Sequence, residues 1–399
     1  MSEYNPTQQQ AFLAKVQSVA GTFQSPSTST DGMPIEAFYP KMNPKTTQNN
    51  EVRGTKGTGA TIVGGFQPDF SLTAPFRGGG AAATAPRAAR LSRAAGFLET
   101  TAAILPASGT FVCTAGTVNS VTIDGTTGSG TQLPSTAGAL VGRTVVLGVN
   151  PAAGATCLCT SYTISGASRI IGLSQDFAST LGVTTTVQLP AGMLYTPLSS
   201  QDVFLSAEHY MGGRVKRFSD VRANLKIAIK GGDLVKFTWD CFGTFVSDAD
   251  VAVPVLDFSS LGPPGIALDG QAFLNGKIVA LTSADIDCGI AKSFHENPNV
   301  KPGFESTPIQ KRNVKGSIVC NMRSKATADV LADLAANTEY RFGLIAQQNG
   351  AVGTRFALTA PGVLLLDETI QDNQGTADEN FPVQFTENLG DDEIAYFVY

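Results

Sequence analysis

Two stretches of the chain predict hairpins, and the first alternates apolar and polar residues with a period of two. In the first, Val221, Ala223, Leu225, Ile227 and Ile229 fall on one face, and Arg222, Asn224 and Lys226 on the other. After Gly231-Gly232-Asp233, the residues Val235, Phe237 and Trp239 alternate with Lys236, Thr238 and Asp240. This period marks strands with one buried face, and glycine supplies the positive φ that tight turns need. Residues 214–246 therefore predict a long two-faced β-hairpin. Its edges must be covered or lent to a neighbour, and the expectation is that they are lent. The second stretch, Glu339–Ala346 and Thr354–Ala360 around Asn349-Gly350, predicts another hairpin, the expected partner of the first within the chain.

The pattern elsewhere divides the chain. Residues 1–50 are polar, with one short helix expected from Gln8 to Val19; the rest reads as an extended arm, disordered alone or ordered on a neighbouring subunit. Thr61–Val63 and Phe66–Leu72 read as strands with a bend at Gly64-Gly65, and Pro86–Leu98 as a helix. Residues 103–200 carry almost no charge. Short strands over Thr110–Ala115, Ser120–Ile123, Arg143–Val149, Thr160–Ile164 and Thr184–Leu189 predict a small all-β module inserted into the host. Residues 51–102 with 201–250 form the host domain, and 251–276 form a Pro/Gly-rich linker. Residues 277–399 form a second domain, with strands over Lys277–Leu281, Ala284–Ala291, Val314–Met322, Asn380–Thr386 and Glu393–Tyr399. Phe294–Arg312 reads as a polar loop. Ser324–Asn337 reads as a helix capped by Ser324, with Ala328, Leu331, Leu334 and Ala335 as its apolar stripe. The order of elements repeats between the halves, which suggests a duplication. The fold class is mainly β with a few short helices.

Composition narrows the function. Of 399 residues, only 15% are charged and 42 are glycine, which suits strands and turns whose surface is covered by partners. The formal net charge is −5 and argues against a protein that grips phosphates. Of the six cysteines (113, 157, 159, 241, 288, 320), Cys241, Cys288 and Cys320 sit in strand-like runs and read as small buried thiols, and Cys157-Leu-Cys159 lacks the second ligand pair a zinc site needs. No signal pattern opens the chain and no apolar run reaches the roughly 18 residues a membrane span needs. A chain made in a cytoplasm, with reduced thiols, is expected.

Catalytic chemistry is sparse. The two histidines, His209 and His295, read as packing or surface residues. No nucleophile elbow or phosphate loop occurs. Gly54-Thr-Lys-Gly-Thr-Gly59 could cradle an anion but reads as a loop before a strand. Asp285 and Asp287 share a strand face, better read as solvated than as an acid–base pair. The acidic run Asp367–Asp378 lacks calcium-loop spacing. No cofactor, metal or catalytic residue is expected.

The segment from Gly213-Arg214 through Asp233 to Gly243 resembles the tail tube (major tail) proteins of tailed bacteriophages, with Trp239-Asp-Cys-Phe-Gly243 similar to the family's F-x-G strand end. Glu51–Thr55, Ala89–Phe97 and the closing Gly390–Tyr399 are similar to other parts of that family. The resemblance implies a virion protein of β-sandwich or β-barrel tube domains, each flanked by a helix. Long hairpins from neighbouring subunits would form a shared barrel around a channel. The implied ring-forming and lumen positions are Arg222, Asn224, Lys226, Lys236, Thr238, Asp240, Arg341 and Arg355. The implied partners are further copies of the chain, three per ring if both halves are tube domains and otherwise six, stacked into a tube. Tail terminator, tape measure and baseplate proteins are also implied, with viral DNA passing through without specific binding. The alternative reading is a baseplate or receptor-binding virion protein whose β-rich module is a binding head; a β-rich hydrolase is a third.

Overall fold

A computed structural model describes residues 9–49, 60–148, 154–200, 202–300, 303–306 and 308–399. The chain opens with β1 (Gln10–Val16), a strand where a helix was the expectation. Its cover explains the difference. Phe12 and Ala14 are buried in the main core, and Ala11 and Leu13 in a small cluster on the opposite face. A strand covered on both faces has no alternation to read. The arm that follows packs on its own chain: Met33 and Phe38 are buried, and the Phe38 ring meets Phe12 at 5.5 Å.

β2 (Pro44–Gln48) and β3 (Thr61–Phe66) form an exposed hairpin, and β4 (Asp69–Pro75) follows. α1 spans Ala89–Ala94, short of the expected Leu98, because Gly96 turns the backbone at φ +78 and Phe97 starts β5 (Phe97–Ala102).

The inserted module is a seven-stranded sheet with its own core around Phe111, Val145, Tyr162 and Ile171. Its strands are β6 (Phe111–Val112), β7 (Ala115–Gly116), β8 (Ser120–Asp124), β9 (Thr144–Gly148), β10 (Thr156–Ser165), β11 (Ser168–Leu173) and β12 (Thr186–Gln188). β13 (Gly192–Pro197) then returns to the host and runs antiparallel to β5, with Ala102 opposite Gly192. The module thus occupies the turn of a host hairpin and ends before residue 192, not at 200. Arg143 clamps its root, donating to the carbonyls of Ala103 at 2.6 Å and Pro190 at 2.8 Å. Burial pulls the Arg143 guanidinium down to about 10.

β14 (Leu205–Met211), β15 (Arg214–Lys230) and β16 (Lys236–Asp250) carry the long hairpin. The second half supplies β17 (Gln271–Leu274), β18 (Lys277–Val279), β19 (Leu281–Asp287), β20 (Phe294–Glu296), β21 (Phe304–Ser306) and β22 (Lys315–Asn321). α2 (Val330–Ala336) is shorter than expected and is capped by Asp329, not Ser324. Ser324 instead starts an isolated turn, its carbonyl accepting from Thr327 at 2.8 Å, and Leu331 ends 69% exposed. β23 (Glu339–Ala346), β24 (Phe356–Leu365), β25 (Thr369–Asn373), β26 (Thr376–Thr386) and β27 (Ala395–Val398) complete the chain.

The host strands form one sheet with the path β1-β14-β15-β19-β22-β26-β24-β23-β17-β18. β16 and β4 branch from β15, and β27, β13 and β5 branch from β24. The two halves therefore share a sheet, joined where β15 pairs with β19 and again where β13 pairs with β27. They also share one core. The sheet folds over on itself, so that Phe237 on β16 meets Phe356 on β24 at 5.9 Å and Tyr396 on β27 at 5.4 Å. Trp239 closes this core against the helix, donating from Nε1 to Ser92 Oγ at 3.3 Å. Among the described residues the strand order does not close into a barrel.

Candidate assembly surface

Register places one polar face across strands from both halves. Thr73 (β4), Thr238 (β16), Lys226 (β15), Asp287 (β19), Lys315 (β22) and Gln384 (β26) stand side by side. Two positions along, the row reads Pro75, Lys236, Ala228, Asp285, Ser317 and Pro382. The row between them holds Ala74, Phe237, Ile227, Ile286 and Val383, all buried in the core. Alternation in each strand, held in register across six strands, makes a sheet with one wet face and one dry face.

Two of the lysines on this face, Lys226 and Lys236, are paired with carboxylates. Lys226 Nζ lies 2.8 Å from Asp240 and 3.5 Å from Asp287. Its hydrogen bond to Asp240 raises the Lys226 pKa, so the amine stays charged. Burial alone would raise Asp240, but the bonds from Lys226 and Ser71 outweigh it and hold the carboxyl below its usual range. Ser71 Oγ donates to Asp240 at 2.8 Å, Thr73 and Thr238 share a bond of 3.1 Å, and Lys236 reaches Glu36 at 3.4 Å. Each exposed pair stabilises the fold by no more than about 1 kcal/mol. Their larger effect is to leave little unbalanced positive charge on the face.

Of the eight expected lumen residues, Lys226, Lys236, Thr238 and Asp240 lie together on this open face. Arg222 and Asn224 point to the same side but are buried. A bulge between Ser219 and Arg222, with Asp220 at φ +51, shifts the register there. Arg222 is fully buried, donates to Asp202 at 2.6 Å and lies 4.8 Å from the Phe204 ring. Burial pulls its pKa down and the Asp202 bond opposes that pull. Asn224 donates to Asp287 at 2.7 Å and accepts from the Ile290 amide at 2.9 Å. Arg341 is elsewhere: it donates to the Leu173 carbonyl at 3.0 Å and to Asp176 at 2.7 Å, tying β23 to the inserted module. Arg355 donates to the Gly350 carbonyl at 2.8 Å and lies over Tyr399, within its own hairpin.

The edges of the long hairpin also depart from expectation. Its partner within the chain is β19, not the Glu339–Ala360 hairpin. β14 and β19 cover β15, and β4 covers β16 from Lys236 to Phe242. The arm covers the far edge of β4, with the Glu36 amide donating to the Thr73 carbonyl at 2.7 Å. Among the described residues, Thr244–Asp250 of β16 pairs with β15 on one side and with no strand on the other.

Other sequence candidates take structural places. His209 is buried between Phe38, at 4.3 Å, and Gln10 Oε1, at 3.3 Å. His295 is exposed on β20. Asp287 accepts from Asn224 and the Gly289 amide, while Asp285 is exposed. The acidic run forms the β25–β26 hairpin, where Asp378 accepts from Thr282 and Asn373, each at 2.8 Å. All six cysteines are buried and free. Gly54–Gly59 and Glu51–Thr55 lie outside the described residues. Reasoning from one hairpin missed Asp287, Lys315 and Ser317, although the alternation Asp285-Ile-Asp287 and Lys315-Gly-Ser317 is the same signal on two further strands.

No protein-family model matches the chain, and no curated protein matches it in sequence.

Proposed function

We propose that this chain is a structural, non-catalytic subunit of a bacteriophage tail tube. Copies join head-to-tail into rings, the rings stack, and the polar face lines a channel that conducts DNA. The observation that carries the reading is the six-stranded polar face, drawn from both halves over a single core. A two-faced sheet drawn from both halves suits a ring closed around such faces, which has a wet lumen and a dry wall. The paired charges support it too. A face on which Lys226 and Lys236 are neutralised by neighbouring carboxylates gathers phosphates weakly, so a duplex can slide past.

Because β15–β16 and β19–β22 stand side by side in one sheet, each half of the chain offers the lumen one strand pair. Three chains then complete a ring. Negative-stain microscopy of the purified chain at high concentration tests the reading. Rings or tubes with a uniform central hole and threefold class averages are expected. Discrete monomers or spikes would sink it. The tail terminator, tape measure and baseplate proteins belong to the same proposal as partners, in a virion tail.

A further inference from the structure

The layer that bears the polar face ends differently at its two ends. At one end β15 turns into β16 through Lys230, Gly231, Gly232 and Asp233, all exposed. Backbone bonds hold this turn: Gly231 donates to the Thr282 carbonyl, Gly232 to that of Ala267 and Asp233 to that of Lys230, each at 3.0 Å. Lys230 continues the wet side of β15, the side of Lys226. The turn thus presents one cation and one anion, and among the described residues neither makes an ion pair.

At the other end, where β22 begins and β26 finishes, lies a cavity of about 440 Å³. Val314 and Gln384 line it from the wet-face layer, and Leu198 and Glu393, next to β13 and β27, from the layer behind. Register separates the two features. Gln384 shares the row of Lys226; the turn lies beyond Lys230 on one side of that row, and Phe385 and Glu387 lie on the other.

The cavity is polar and partly matched within the chain. Its Asp202 accepts from Arg222 at 2.6 Å, and its Arg312 donates to Asp391 at 2.5 Å and to Glu393 at 2.7 Å. Three groups are left over. Glu387 and Lys311 are exposed and make no ion pair among the described residues. Glu393 is buried, and its second oxygen, Oε2, has no hydrogen-bond partner. A buried carboxylate oxygen without a donor is costly, and an incoming ammonium group supplies one. Other features near the turn fit less well. Lys325 is already paired with Asp329 at 3.3 Å, and the turn between β25 and β26 carries Asp372 but no cation.

We infer that the Lys230–Asp233 turn of one copy of this chain seats in the end cavity of the next, with Lys230 against Glu387 and Glu393, and Asp233 against Lys311. The contact is heterologous. Turn and cavity sit at opposite ends of one chain, so each copy uses both and the contact propagates. It joins copies end to end and is therefore the contact between stacked rings; in this the inference rests on the tube reading.

Charge reversal separates this contact from ring closure. Lys230→Glu and Glu387→Lys each change an exposed side chain and should leave the fold intact, which circular dichroism checks. In negative-stain images each single variant should lose tubes and keep single rings, because a like-charge contact recurs at every copy. The double variant Lys230→Glu/Glu387→Lys restores opposite charges and should recover tubes. Tubes of ordinary length from either single variant, rings lost together with tubes, or a double variant that stays at single rings overturns the seating of the turn and leaves the tube reading standing. A wild-type chain that forms neither rings nor tubes overturns both.

Discussion

His209 sits where β14 meets the N-terminal arm, opposite Phe12 on β1 and Lys216 on β15. An ordinary histidine titrates near 6.5; burial, and then Lys216, push this one down to about 4. Between those values the unfolded chain binds a proton that the folded chain refuses. Stability should therefore fall as pH drops from about 6.5 to about 4, by a total on the order of 3 kcal/mol, and the contribution should level off below that. Urea titrations across this range on wild type and His209→Gln check it. The variant should lose the extra slope, and identical slopes would exclude His209 as its source. Single residues also show where sequence reading stops. Arg222 alternates with core residues as Lys226 does, so its parity was legible. Nothing local announced that Asp202 and Phe204 would cover it, because they arrive from another strand connection.

The long hairpin was the most legible element, since alternation and a Gly-Gly-Asp turn are local signals. Its dry face is packed as expected, with Leu225 opposite Trp239 and Ile227 opposite Phe237. Leu225→Asp or Phe237→Asp should destabilise the chain by several kcal/mol, since each buries an unpaired carboxylate. Thr238→Ser, on the wet face, should change stability by no more than about 0.5 kcal/mol. Thermal melts compare them, and an unchanged melting temperature for Leu225→Asp would refute the dry face. β1 and α2 were misread for physical reasons. β1 is buried on both faces, which erases the alternation. α2 starts only at Val330 because Ser324 closes a separate turn, and the periodicity of Ala328, Leu331 and Ala335 runs across that break.

In the molecule as a whole, the inserted module is attached at one hairpin turn and braced at one side. Leu158 from β10 packs with Phe273, Ile345 and Phe397 of the host, and Arg341 reaches Asp176. Replacing residues 103–191 by a two-residue Asn-Gly turn joins Ala102 to Gly192, which already face each other. The shortened host should fold and keep its strand content by circular dichroism. It should lose about 2–4 kcal/mol, because the contacts around Leu158 disappear. A shortened chain that does not fold would show that the module is part of the host core. The same bracing explains why Arg341 is not a lumen residue: the module folds back onto the strand that carries it.

Local order alone determined much of this protein. Alternation set which side chains of each strand face the core, glycine turns set the hairpins, and the uncharged middle marked a separate module. These signals act between residues close in the chain, so they can be read without a fold. The tertiary structure decided the rest: that both halves share one sheet, that β19 rather than the distant hairpin sits beside β15, and that the arm covers β4. It also decided which edge of β16 stays open. Strand partners are chosen by long-range pairing, and alternation in one strand says which face is wet but not which strand will lie alongside.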